Sequence, residues 1–250
     1  MVISRMQLVK ELEPGLNALF GLEYDRYENQ NAEIFDSESS DRAFEEEVML
    51  GGFANAAVKP EGQGIVYDDA QETYTARYTN ETVALAFALT EEAVEDNLYD
   101  KISTRYTKAL ARSMANTKQV KGSNVLNNST TGGATAGGDG VALLSAAHPT
   151  LSGNQTNLLA TASDLNETSL ETALIEIANM KDERGLKIAL RGMKMILPVN
   201  LQFVAERLMN SAGRVGTADN DINAIKSMGM VPQGYVINNF LVDTDAWYVK

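Results

Sequence analysis

Ser145 and His148 stand three residues apart in LLSAAHPTLSG, and they are the pair that could supply a nucleophile and a base for a hydrolase. Such chemistry also needs a strained turn to present the serine and a carboxylate to orient the histidine. No GxSxG elbow is present, so the better reading of His148 is a loop residue ahead of a proline turn. The glycine-rich stretch Gly122 to Gly140 lacks the GK[ST] of a phosphate-cradling loop and does not match GxGxxG. Asp219, Asp221 and Asn223 imitate the first half of a calcium loop, but Ala224 and Met230 stand where glycine and glutamate are required, which leaves a solvated loop. No catalytic, cofactor-binding or metal-binding residue is assigned. Four Asn-x-Ser/Thr matches, at Asn80, Asn128, Asn154 and Asn166, carry no weight without a secretory context.

Composition narrows the classes further. Cysteine is absent and histidine occurs once, which excludes disulfide frameworks, thiolate sites and multi-histidine metal sites. With 34 acidic and 21 basic residues the formal charge is -13, so a nucleic-acid reader is not expected. The 250 residues are 44% apolar, enough for a sizeable core. The longest apolar run, VALAFAL at Val83 to Leu89, is far short of the ~20 residues a bilayer span needs, and the first residues lack a signal-peptide core. A soluble protein made inside the cell, with no membrane partner, is expected.

Charge is unevenly placed. Residues 1–100 hold 22 Asp/Glu and 6 Lys/Arg, a balance of -16, whereas residues 101–250 hold 12 and 15, a balance of +3. Either the two parts face different surroundings, including each other on neighbouring subunits, or the acidic residues simply solubilise an exposed segment.

The elements follow from periodicity. Residues 1–50 read as a helix-prone acidic arm, broken at Pro14 and Gly15 and too poor in large apolar residues to form a core. From Gly51 to Leu89 the texture turns to β: Tyr74, Ala76 and Tyr78 alternate with Thr73, Thr75, Arg77 and Thr79, one arm of a hairpin. A helix is expected from Thr90 to about Val120. Acidic residues open it, Lys101, Arg105, Lys108, Arg112, Lys118 and Lys121 follow, and Val94, Leu98, Ile102, Tyr106, Leu110 and Met114 form its apolar stripe. At 1.5 Å per residue it is a strut of roughly 45 Å.

Gly122 to Gly140, with six glycines and one charge, reads as a flexible loop outside any core. A second helix is expected over Thr168 to Arg184, with Thr168 and Glu171 as a capping box, Leu170, Ala173, Leu174 and Ile177 inward, and Gly185 as the stop. A strand pattern (Leu186, Ile188, Leu190, then Met193 to Leu197), a short helix with Leu201, Val204, Ala205 and Leu208 inward, and a final strand in YVINNFLVDTDAWYVK make this part α+β.

This order of parts, together with SSDRAFEEEV, AHPTLSGNQTNLL, ILPVNLQFVAERLMNS and NNFLVDTDAWYV, resembles the major capsid proteins of tailed bacteriophages, of podovirus type, with the fold named after phage Hong Kong 97. The resemblance implies an N-terminal arm at 1–50, an extended hairpin (E-loop) at 51–80, the strand and spine helix of a peripheral domain at 81–121, and an axial domain at 122–250. The strands by which that fold returns to its peripheral sheet are not evident before Lys250, so the natural chain is expected to continue.

What the resemblance implies is structural rather than enzymatic: a head protein that self-assembles into hexamers and pentamers of an icosahedral shell. The shell would enclose double-stranded DNA without sequence-specific binding, be built in the bacterial cytoplasm beside portal and scaffolding proteins, and reside in the virion. The alternatives are the shell of an encapsulin-like nanocompartment and, from another class, the Ser145/His148 hydrolase. Contacts between subunits are expected at Tyr67, Asp68, Asp69, Tyr74, Arg77 and Tyr78, because a hairpin that cannot satisfy its own surface must find a neighbour.

Overall fold

The computed structural model describes residues 9–88, 90, 99–132, 136–214 and 221–250. They form helices α1 (Val9–Asp25) and α2 (Tyr99–Asn127), with strands β1 (Phe44–Gly51) and β2 (Gln71–Thr79) between them. Strands β3 (His148–Thr150) and β4 (Gly153–Gln155) precede helix α3 (Glu167–Ala178). Then come β5 (Met195–Leu197), α4 (Gln202–Asn210), α5 (Ala224–Met228), β6 (Tyr235–Ile237) and β7 (Tyr248–Val249). No helix among the described residues is long and apolar enough to cross a membrane. The chain divides into two units, one of residues 1–35 and 81–122 and one of residues 36–80 and 123–250.

In the first unit, α1 continues through Pro14 and Gly15, where a break was expected. A proline inside a helix removes one N–H donor, and the turns on both sides carry the helix past it. A turn at Gln30–Glu33 then meets the C-terminal part of α2. Asn31 donates through Nδ2 to the Gln119 carbonyl at 3.0 Å, while Gln119 Nε2 donates to Asn29 Oδ1 at 3.0 Å. Lys108 pairs with Glu23 at 3.1 Å.

The first turns expected for α2, with the Thr90 cap, Val94 and Leu98, fall on or beside residues outside the described set. The described part corrects the apolar stripe. Its buried positions are Ser103, Thr107, Ala111, Ala115, Gln119, Ser123 and Leu126, whereas Tyr106 is 54% exposed and Leu110 and Met114 are only half-buried. Most of the buried side chains are small, and the larger apolar groups of the expected stripe lie beside them.

α2 also runs on to Asn127, through Gly122 and into the stretch expected to be loop. Gly122 does not end the helix; a Cβ there would lie 2.3 Å from Asn31 Nδ2, so the glycine makes room for the Asn31 amide. Ser123, Leu126 and Ser129 are buried, so this stretch does contribute to an interior. No strand forms over residues 81–88, at the start of the stretch 81–121 where a peripheral-domain strand was expected; they are exposed, and no second strand pairs with them among the described residues.

In the second unit the core is one cluster: Leu165, Leu170, Leu174, Met195, Leu197, Ala205, Leu208, Ile225 and Val231. β5 lies at the centre of a three-stranded sheet, parallel to β6 and antiparallel to β7. All three β5 side chains are buried, which is why MIL reads as a continuous apolar run. Burial of one such side chain contributes about 1.5–3 kcal/mol. Ala205 and Leu208 are buried from α4, and Leu201 and Val204 pack beside them, as the spacing predicts.

Four other expectations here are corrected. α3 is capped two residues earlier than expected, by Asn166: its Oδ1 accepts from Ser169 N at 2.9 Å and its own N–H donates to Ser169 Oγ at 3.0 Å. The helix ends at Ala178 rather than Arg184, because the chain folds into a tight return. Leu186 N donates to the Asp182 side-chain carboxylate at Oδ1, 2.7 Å away, and Gly185 takes the positive φ of 85° that the return requires. The strand expected at Leu186 to Leu190 does not form: Ile188 and Leu190 are 48% and 42% exposed. The single C-terminal strand is two, β6 and β7, separated where Asn238 turns inward to donate to Ser123 Oγ at 2.9 Å. Of the calcium-like residues, Asp219 lies outside the described set, and Asn223 caps α5 by accepting from Lys226 N at 3.3 Å.

Candidate assembly interface

β1 and β2 pair antiparallel from Phe44↔Thr79 to Gly51↔Gln71, with an irregularity between Val48 and Leu50. β1 lies inside the stretch expected to be a helical arm. Alternate positions of FEEEVML carry the β pattern, and the three glutamates obscure it. Arg77 holds the pair from across the strands: its Nη2 is 2.5 Å from Glu46 Oε1, opposite it in register, and its guanidinium lies 4.4 Å over the Phe44 ring.

Between the strands, residues 52–70 are exposed throughout. This loop carries Phe53, Val58, Ile65, Val66 and Tyr67 at 61%, 93%, 72%, 79% and 93% exposure. Its base is fastened. Arg184 donates from Nε to the Gly52 carbonyl at 3.0 Å and from Nη2 to the Asp69 carbonyl at 2.6 Å, tying both ends of the loop to one side chain. Asp68 Oδ2 accepts from Ala54 N at 2.7 Å; that bond, Arg184 nearby and the Asp69 N–H hold its carboxyl below the usual range despite some desolvation.

A polar cluster lies under β2. The Tyr74 phenol is pushed up by burial, then by the charges of Glu183 and Asp139, and it hydrogen-bonds to Glu183. Burial alone would raise Asp139, but the His148 bond and the Val141 N–H bring it below its ordinary value. His148 Nδ1 is 2.7 Å from Asp139 Oδ2. Gly138 allows this loop to reach the strand, because a Cβ there would sit 2.9 Å from the Ala76 nitrogen.

The six residues expected at a subunit contact are thus all on the hairpin, in two roles. Tyr67 and Tyr78 are 93% and 57% exposed. Asp68, Asp69, Tyr74 and Arg77 are engaged within the chain. Sequence reasoning missed Arg184, Glu183 and Asp139, the groups that fix the hairpin's root. Asp139 did leave a trace, as the one charge in a glycine-rich stretch.

The hydrolase reading finds no support. Ser145 Oγ accepts from Ala147 N at 3.2 Å, and His148 Nε2 is buried without a partner among the described residues, so serine and imidazole are not joined. Among the described residues no group of three His, Cys, Asp or Glu could hold a metal ion.

The second unit is thus a packed α+β core bearing a fastened loop that exposes large apolar residues. The chain belongs to the phage capsid protein family, whose model matches residues 73–250. The expected capsid protein, a structural component of a phage head, is borne out. The fold is similar to the bacteriophage JBD30 capsid, with 13% identity over 81% of this chain and 87% of that one at a TM-score of 0.58. It is also similar to the JBD30 procapsid, with 14% identity over 96% of this chain and 100% of that one at a TM-score of 0.58. A third similar structure is the JBD30 capsid decorated with minor capsid protein trimers, with 13% identity over 81% of this chain and 87% of that one at a TM-score of 0.57. No curated protein matches the chain.

Proposed function

We propose that the chain is the repeating subunit of an icosahedral head, assembled as hexamers and pentamers in the host cytoplasm around space for double-stranded DNA, with no enzymatic role. The observation that carries this reading is the loop at residues 52–70: five large apolar or aromatic side chains stand in solvent on a base that Arg184 holds in place. A mobile loop could hide such groups by collapsing, whereas a fastened one needs another surface to cover them. In this reading residues 51–80 act as an E-loop, with Tyr67 and Tyr78 against a neighbouring copy and Asp68, Asp69, Tyr74 and Arg77 keeping the hairpin in shape. Residues 1–50 serve as an arm, 81–121 as the peripheral domain and 122–250 as the axial domain. Portal and scaffolding proteins would be further partners.

The test replaces Val58 to Val66 with a Gly/Ser linker of equal length. The expected result is an unchanged circular dichroism spectrum and melting temperature, with shell particles lost from negative-stain images and sucrose gradients. Particles of normal size and yield would overturn the reading. The milder pair Val58→Ser and Tyr67→Ser gives the same decision if the linker variant misfolds.

A further inference from the structure

The chain is strongly acidic as a whole, yet residues 101–138 contain six Lys/Arg and not one Asp or Glu. All six lie on α2. Arg105, Lys108 and Arg112 are exposed, and at 100° per residue they share an arc of about 60°. The two arginines are separated by about 10.5 Å along the axis. Beside them opens a groove of about 570 Å³ lined by Tyr27, Lys108, Ala109, Arg112, Ser113 and Asn116. Lys108 is shared with Glu23, whose side chain is 13% exposed. Among the described residues no carboxylate comes within ion-pairing distance of Arg105 or Arg112.

We propose that this groove and the cationic row above it contact the phosphodiester backbone of double-stranded DNA without reading its sequence. The donor set is the reason. Arg and Lys with Ser, Asn and Tyr are the side chains that hold phosphate oxygens, and a guanidinium offers two parallel donors to one phosphate. A single carboxylate from a second copy would engage one arginine; a row of cations with neutral donors between them suits a continuous line of charge. The net charge of -13 opposes the contact, so it is weak and strongly salt-dependent, which suits a lining that must not grip its contents. The inference rests on the shell reading for the identity of the partner and on the groove for its site.

The test measures binding of a fluorescent duplex of about 20 base pairs to the unassembled full-length chain as salt is raised from ~20 to ~200 mM. Three cations predict a slope of log K against log salt near -3. The double variant Arg105→Gln and Arg112→Gln is expected to bind about tenfold more weakly at low salt, with a slope near -1. The control Lys181→Gln and Arg191→Gln, with the same change in charge, is expected to bind as the unsubstituted chain does. Absence of binding by the unsubstituted chain, equal weakening in the control, or competition by polyglutamate as effective as unlabelled DNA at equal charge would each overturn the proposal, the last pointing to acidic segments of a second copy. Particle formation is scored separately by microscopy, so shells built from a chain that ignores DNA would overturn this inference and leave the shell reading standing.

Discussion

Gly122 and Asn31 compete for the same space, and the glycine yields it. In an open helix Gly→Ala gains about 1 kcal/mol. Here the new methyl would meet the Asn31 amide at 2.3 to 2.7 Å, and that amide already donates to the Gln119 carbonyl. Overpacking typically costs 1–3 kcal/mol, so the clash outweighs the propensity gain. Gly122→Ala is therefore expected to lower the melting temperature by a few degrees in a calorimetric scan, and a rise would show that Asn31 moves aside freely.

At the loop base, Asp68 has a depressed folded value, so its contribution is complete above the unfolded carboxylate range near 3.8 and is lost as pH falls through the lower folded value. Limited proteolysis between Phe53 and Tyr67 should accelerate only below about pH 4. Asp68→Asn should cleave faster at neutral pH and lose that acid step; an unaltered pH profile would place the anchor elsewhere.

At the scale of elements, α2 shows where a sequence is legible and where it is not. Its existence was plain from its length and charge order, and the inward face of α4 was plain from its spacing. The face of α2 was not, because the rule that larger apolar residues point inward fails where a neighbouring segment comes close, as Asn31 does beside Gln119 and Gly122, and most of the buried positions are Ser, Thr or Ala. The same cause hid the C-terminal turn and a half of this helix: Gly122 looks like a stop until the Asn31 amide is seen beside it. The hairpin was half legible. β2 showed its alternation, whereas β1 was masked by Glu45, Glu46 and Glu47, one of which is there to pair with Arg77 across the strands. Contacts such as Arg184 with Gly52 span over a hundred residues and leave no local pattern. The corrected face makes a sharp forecast. Ala111, wholly buried, should tolerate leucine poorly, at about 1–3 kcal/mol. Leu110→Ala, at a half-buried position beside it, should cost less in the same urea titration, and the reverse order would restore the original stripe.

For the whole molecule, the proposed function makes stability and assembly draw on different residues. The core cluster around β5 holds the second unit together and lies inside it, while the loop at residues 52–70 is exposed along its entire length and contributes little to that core. A subunit built this way should fail in two separable ways. Leu197→Ala removes a fully buried side chain from the central strand and should cost 2–5 kcal/mol, seen as a lower urea midpoint. At low temperature, where the variant remains folded, it should still form particles, because the surface offered to other copies is intact. Phe53→Ser with Val66→Ser should do the opposite: a urea midpoint within about 0.5 kcal/mol of the unsubstituted chain, and few or no particles at any temperature. Both variants measured by urea titration and sucrose gradient give the result, and loss of stability and assembly together in the loop variant would mean that the exposed apolar residues are part of the fold.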